Sequence, residues 1–120
     1  MIVIVGGNRS SCSRGHRVLM APSVEHLGLP ENAVVVDCMN DEALNQLAGE
    51  GFFRADNNYI LEHAGHGLGF RSSSSARQAQ ICNSLAQHRA IGCDVVILSR
   101  SYKDLDKRIQ RLADVMFNFA

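Results

Sequence analysis

The sequence carries no excess of charge of either sign: Lys and Arg together number 12, and so do Asp and Glu. Such a balance supplies no global basic field for nucleic acid and no acidic excess of the halophilic or disordered kind. Only a local basic patch is left open. Cysteine is scarce and wrongly spaced for a metal. Cys12, Cys38, Cys82 and Cys93 form no C-x-x-C pair and match no zinc template. The last three lie in or beside apolar runs, so buried free thiols of a cytosolic protein are expected. A long hydrophobic run is also missing. The opening Met1-Ile2-Val3-Ile4-Val5 has no positively charged flank and is too short for a signal peptide or a membrane span. A cytoplasmic protein without membrane insertion is therefore expected. Neither an internal repeat nor a linker divides the chain.

What is present is the composition of an ordinary globular domain: 120 residues, 46% hydrophobic and 20% charged. That length predicts one domain, 1–120, with a core that needs no staples. Short β-branched or aliphatic runs recur at residues 2–5, 33–36, 59–61, 95–98 and 115–119. The first ends at Gly6-Gly7 and the second at Asp37. Runs apolar on both faces fit strands inside a parallel sheet. Between them lie helical patterns. Asp41 is the expected N-cap of a helix over 42–48 that Gly49 stops. A second pattern, with Ala79, Cys82, Leu85 and Ala86 at helical spacing, covers 76–91 and ends at Gly92. Ser75 is a cap for it, after a serine loop. A third covers 102–113, with Leu105, Ile109 and Leu112 as its apolar stripe. Weaker signals suggest a helix near 16–20 and a capped turn over 24–27, bounded by Pro22 and Pro30.

Strand and helix alternate throughout. That order predicts an α/β domain with a mostly parallel five-stranded sheet and right-handed crossovers. Ligands of such sheets bind beyond the carboxyl ends of the strands. The residues at those ends are 6–14, Asp37, Glu62 with His63, and Ser99 with Arg100.

Specific motifs stand at these ends. The loop after the first strand, Gly7-Asn8-Arg9-Ser10-Ser11-Cys12-Ser13-Arg14, has the position and spacing of the phosphate-binding G-x-x-x-x-G-K-[ST]. Further on, Tyr59-Ile60-Leu61-Glu62-His63-Ala64-Gly65-His66 resembles the Walker B strand of FtsK/HerA-like and Zot-like P-loop ATPases. Arg89-Ala90-Ile91-Gly92-Cys93-Asp94-Val95-Val96-Ile97-Leu98-Ser99-Arg100 is similar to the family's R-x-x-G-h-x-h-h-h-h-T-Q. Residues 106–115 look like its D-x-R-I-R-x-x-A-D-h. The resemblance runs from about 57 to 119, is positional over 2–14, and is absent between. It implies a three-layer, RecA/FtsK-like P-loop fold of viral or mobile-element origin. Relatives drive genome packaging, DNA translocation and filamentous-phage assembly. The implied cofactor is ATP or ADP with Mg²⁺, and the implied partners are nucleotide or phosphate and DNA.

At the positions that carry the chemistry, the chain departs from the family. P-loop hydrolysis uses backbone N–H groups and a Lys around the phosphates, a hydroxyl and an Asp for Mg²⁺, and a Glu to activate water. Here Cys12 replaces the second Gly, Ser13 the Lys and Arg14 the hydroxyl residue. Glu62 stands for the metal-holding Asp and His63 for the catalytic Glu. Arg100 stands for the Gln that senses the γ-phosphate. Each lost electrostatic contact removes ~3 kcal/mol of transition-state stabilisation. The expectation is a degenerate P-loop domain with little or no ATP hydrolysis, acting through nucleotide, anion, DNA or partner binding. Arg9, Arg14 and Arg100 would supply the phosphate-binding charge. The alternatives are an unorthodox ATPase using Glu62 and His63, or a nucleic-acid module without a motor. The chain stops after the fifth strand, where relatives add assembly segments. This favours a monomer or homodimer over a ring.

Other residues carry paired explanations. His63 and His66 with Cys12 could hold a metal, but a loop segment of the family pattern accounts for them, and no metal site is assigned. Cys12 between two arginines is either a reactive thiol or inert. The 71–75 loop with Arg77 suits either phosphate contact or simple solvation. Arg89 is either an arginine finger or a helix C-terminal charge. The charges over 103–111 mark an exposed helix face. Asp114 is expected in a turn, and Tyr102 and Phe117 in the core.

Overall fold

The computed structural model describes residues 1–7, 33–69, 75–99 and 102–119. The expected helix near 16–20, the turn over 24–27, most of the 7–14 loop, the 71–74 loop and Arg100 lie outside the described residues.

Five strands form one sheet: β1 (Ile2–Gly7), β2 (Val34–Asp37), β3 (Asn58–Glu62), β4 (Asp94–Leu98) and β5 (Val115–Phe119). All pairings are parallel, in the order β2-β3-β4-β1-β5. β1 therefore sits inside the sheet, with Val5 opposite Leu98 of β4 on one side and Phe117 of β5 on the other. Its first residues are apolar because both faces are covered. Ile2 and Ile4 belong to one buried cluster and Val3 to another. Fully burying an aliphatic side chain of this size contributes ~1.5–3 kcal/mol.

The larger cluster joins Ile2, Ile4, Val36, Tyr59, Leu61, Val95 and Ile97 to the helices. These are α1 (Asp41–Ala48), α2 (Ala64–Gly67), α3 (Ser75–Ala86), α4 (His88–Ile91) and α5 (Lys107–Leu112). Leu44 and Leu47 of α1, Ile81, Cys82 and Leu85 of α3, and Ile109 of α5 cover the sheet. The other face holds Val3, Ile60, Val96 and Leu98. Tyr59 anchors the start of β3. Its ring packs edge-on against Phe53, and its hydroxyl accepts from Arg54 N at 2.8 Å and donates to Phe52 O at 3.1 Å.

The five expected strands form, with ends shifted by up to two residues. The helices differ more. Asn40, not Asp41, caps α1: its extended backbone lets its Oδ1 accept from Ala43 N at 3.2 Å. Asp41 instead begins the helix, where its charge suits the positive dipole end. The expected 76–91 helix breaks at Gln87, because the buried His88 turns its Nδ1 onto the Leu85 carbonyl at 2.8 Å. Gly92, at φ +85°, ends α4 as anticipated. The expected 102–113 helix also splits. A 3₁₀ turn over Tyr102–Asp104 comes first, Leu105 then bridges Gly69, and Asp106 starts α5 as a new N-cap.

Asp114 does more than turn the chain. Its Oδ2 accepts from Ile2 N at 2.8 Å and lies 3.5 Å from His88 Nε2, tying the approach to β5 to β1 and α4. That 3.5 Å separation makes an electrostatic contact but not a hydrogen bond, and Nε2 has no hydrogen-bond partner among the described residues.

Asp106 is the junction of α5 with the rest. Its carboxylate accepts from Arg108 N at 2.8 Å and binds the Arg108 guanidinium twice, at 3.1 and 2.9 Å. Its own N–H donates to Leu68 O, which also accepts from the buried Gln78 amide at 3.0 Å. The Arg108 side chain, opposed by burial, holds the Asp106 carboxyl down at about 2. A depressed folded-state value stabilises the fold above the ordinary value of 3.8 and loses that contribution as pH falls towards 2. Replacing Asp106 with Ala should lower stability at pH 7 by about 1–2 kcal/mol, since a cap and a half-exposed ion pair go together. In urea titrations the gap between variant and parent should close as pH is lowered from 4 to 2.

Candidate functional site

The strand order decides where a ligand can sit. Along the chain, β2, β3 and β4 step across the sheet in one direction, and β1 lies beyond β4. Strand order thus reverses at β1, and a parallel sheet binds its ligands beyond the strand ends at such a reversal. Gly7, Ser99, Glu62 and Asp37 are the residues that the described strands bring to that edge.

Glu62 ends β3 opposite Asp37 of β2 and is only 3% exposed. A carboxylate at this depth is a group whose burial the surrounding contacts must offset. Ser99, directly after β4, is fully buried. His63 follows Glu62 in the left-handed region, at φ 58° and ψ 35°, and is the only non-glycine residue with positive φ among those described. Its Nδ1 lies 3.1 Å from Asp37 Oδ1, which also accepts from Met39 N at 3.0 Å. An ionised carboxylate only accepts, so Nδ1 is the donor of this contact.

A rigid turn backs this edge. The segment after His63, expected as a glycine-rich loop, forms α2. It lies so close to the strand ends that side chains do not fit. A Cβ on Gly67 would fall 2.1 Å from Cys38 O, and one on Gly69 would fall 2.5 Å from Gly65 O. A Cβ on Gly65 would meet Ser99 Oγ at 2.8 Å. Gly65 and Gly67 let α2 approach the residues that follow β4 and β2, Ser99 and Cys38, directly after the left-handed His63. Beneath lies Cys38, fully buried. Burial first, then the Asp37 and Glu62 charges, pushes its thiol up to about 12, so it stays protonated and inert. Burial also raises the thiols of Cys82 and Cys93.

Of the sequence-derived site residues, Gly7 and Glu62 end β1 and β3 along this one edge, and His63 directly follows β3. Asn8, Arg9, Ser10, Ser11, Cys12, Ser13, Arg14 and Arg100 lie outside the described residues. No group of three or more His, Cys, Asp or Glu side chains among the described residues is arranged to hold a metal ion. Arg77 reaches Asn45 and Asp41 of α1 at 3.3 and 3.4 Å. No helix among the described residues is long and apolar enough to cross a membrane. Sequence reasoning gave Asp37 no role. Its position at a strand end was visible, but its contact with His63 depends on β2 lying next to β3.

Comparison with protein-family models, curated proteins and solved structures gives no match. The chemistry of the site must therefore be argued from its own residues.

The two kinds of strain at this edge respond differently to mutation. Gly67→Ala forces a Cβ into backbone and should lower stability by about 3 kcal/mol. His63→Gly relieves a left-handed conformation worth about 1–2 kcal/mol while losing a partly exposed side-chain contact with Asp37 worth less than that. Thermal unfolding should find Gly67→Ala strongly destabilised and His63→Gly no less stable than the parent.

Proposed function

We propose that the chain is a nucleotide-binding domain of the P-loop type, resembling the FtsK/HerA-like and Zot-like ATPases, whose altered chemical positions leave at most slow hydrolysis. The observation that carries this is the insertion of β1 between β4 and β5 in an all-parallel sheet. It supports a ligand edge shared by the loop that leaves Gly7, by Glu62 and His63, and by Ser99. On the resemblance, these are the phosphate loop, the Walker B end and the approach to the sensor position. The three-layer, RecA/FtsK-like arrangement belongs to the same proposal.

The residues favour binding over turnover. Ser13 in place of a Lys removes a fixed cation from the β- and γ-phosphates, and Arg14 puts a cation where Mg²⁺ would need a hydroxyl. Mg²⁺ is usually held by one or two carboxylates, with phosphate and water completing its octahedron. Glu62 is the carboxylate that would contribute, so the metal would arrive with the nucleotide rather than occupy a cage of its own. Affinity for the phosphates would come from backbone N–H groups after Gly7 and from Arg9, Arg14 and Arg100. A second reading, slow hydrolysis through His63, is favoured by its hydrogen bond to Asp37. DNA binding rests on the family resemblance and is not part of the proposal.

Calorimetric titration with ATP, ADP and GTP, with and without Mg²⁺, tests the proposal. Micromolar ATP affinity is expected, with a rise in melting temperature that follows ligand concentration by mass action. No heat and no shift at millimolar nucleotide would overturn it.

A further inference from the structure

The amino-terminal ends of the strands, opposite the candidate ligand edge, hold a buried imidazole. His88, 2% exposed, opens α4 between the end of α3 and the start of β4. Its Nδ1 lies 2.8 Å from the Leu85 carbonyl, which only accepts, so Nδ1 carries a proton. Its own carbonyl accepts from Gly92 N at 2.7 Å and from Cys93 N at 3.2 Å. Nε2 has no hydrogen-bond partner among the described residues and lies 3.5 Å from Asp114 Oδ2. That oxygen accepts from Ile2 N at 2.8 Å, and Asp114 N donates to Ile2 O at 2.8 Å. Contacts therefore run from α3 through His88 and Asp114 to the first residue of β1. The run is open between Nε2 and the carboxylate.

A buried polar atom without a partner calls for an explanation. Here it lies in the charge of the ring. With Nδ1 committed as a donor, a neutral His88 has a lone pair on Nε2, facing a carboxylate that offers only lone pairs. The two repel, the more so at low local dielectric. An imidazolium presents an N–H to the same oxygen. Charge-assisted bonds of this kind close to about 2.7–2.9 Å, so the gap has to shrink by only a fraction of an ångström.

We propose that His88 is a proton-operated latch on this corner of the fold. Protonated at Nε2, it binds Asp114 and holds the entry to β5 against the start of β1. Deprotonated, it turns Asp114 toward solvent, which already reaches 23% of that side chain, and Ile2 N loses its acceptor. Closure and proton uptake favour each other, so the corner tightens as pH falls and loosens as pH rises. Imidazole changes charge between about pH 5 and 8, the range in which such a latch responds. The surrounding elements bring further charged or titratable groups. The Met1 ammonium at the start of β1 pairs with Asp94 of β4 at 2.9 Å. Burial pushes up the Cys93 thiol before β4 and the Cys82 thiol of α3, so both stay neutral over that range. α5 ends with the exposed Arg111. The latch acts on the pairing of β1 with β4 and β5 and does not depend on what binds at the carboxyl ends.

The test uses the full chain labelled with nitrogen-15, with no ligand added. The ring nitrogens of His88 and the exchange of the Ile2 and Asp114 amides are followed from about pH 5.5 to 8.5. Both His88 nitrogens should carry protons at the acid end, and Nδ1 alone at the basic end. Corrected for intrinsic base catalysis, exchange of the two amides should rise at least about tenfold as the Nε2 proton is lost, the worth of one charge-assisted hydrogen bond. Amides in the middle of β4 should not follow, because the opening is local. Asp114→Asn keeps an acceptor for Ile2 N–H and removes the charge. In that variant His88 should be half-protonated at a lower pH than in the parent, and the Ile2 amide should lose its extra pH dependence. A His88 that merely fills space would show neither change. The proposal is overturned if Nε2 stays unprotonated down to the acid end, or if His88 titrates while the two amides do not respond. An unmoved His88 titration in folded Asp114→Asn would also overturn it. Should that variant fail to fold, the titration and exchange of the parent decide alone.

Discussion

β1 pairs with β4 on one side and β5 on the other, and the rest of the sheet is arranged around that double pairing. A strand so placed has to be apolar on both faces, and Ile2, Val3 and Ile4 meet the requirement by feeding two separate clusters. It also imposes a reversal of strand order beside β4, because the chain leaves β1 for β2 at the far edge and then steps back. The carboxyl ends of β1, β3 and β4 then lie along one edge of the sheet. The apolar content of the first residues and the location of the candidate site are thus two results of one topological constraint.

Rigidity at that edge comes from backbone packing rather than from a long helix. α2 has only one turn, yet Gly67 within it and Gly69 just after it approach the Cys38 and Gly65 carbonyls so closely that no side chain fits. Leu68 extends this anchorage. Its carbonyl receives both the Gln78 amide and the Asp106 N–H, linking the turn to α3 and α5. A short segment held from several directions can keep His63 in a conformation that an isolated peptide would leave.

The strands were legible in the sequence because their signal is local: β-branched runs ended by Gly, Asp or Ser. The residues at their carboxyl ends, Glu62 and His63 among them, followed directly. Helix interruptions were not legible, because one depends on a distant contact and the other on where a single side chain turns. Nothing within 76–91 announces that His88 will take the Leu85 carbonyl, and the break before Asp106 depends on Leu105 meeting Gly69. Asn40 and Asp41 are both good caps, and only backbone conformation separates them. Asp37 was missed for a related reason. Its role depends on which strand lies beside β2, and strand order is a long-range property. The glycines of α2 were noticed as a motif, whereas their function, close approach to carbonyls, becomes visible only when the strand ends are assembled.

The chemistry of this edge follows from where charge has been lost and where it remains. On the proposed nucleotide-binding reading, a phosphate loop without a lysine would bind phosphate mainly through N–H dipoles and arginines, and such contacts act on ground state and transition state alike. Equal stabilisation of both improves affinity without accelerating the reaction. Any acceleration must come from a group that acts only as the transition state forms, and proton removal from water is such an action. On the second reading that group would be His63, whose Nδ1 contacts the Asp37 carboxylate. Glu62, buried beside it, is poorly suited to the same task, since a carboxylate embedded in the fold is already committed to its surroundings. On that second reading, binding and turnover would be separated onto different residues: the loop after β1 for the phosphates, and the ends of β2 and β3 for the water.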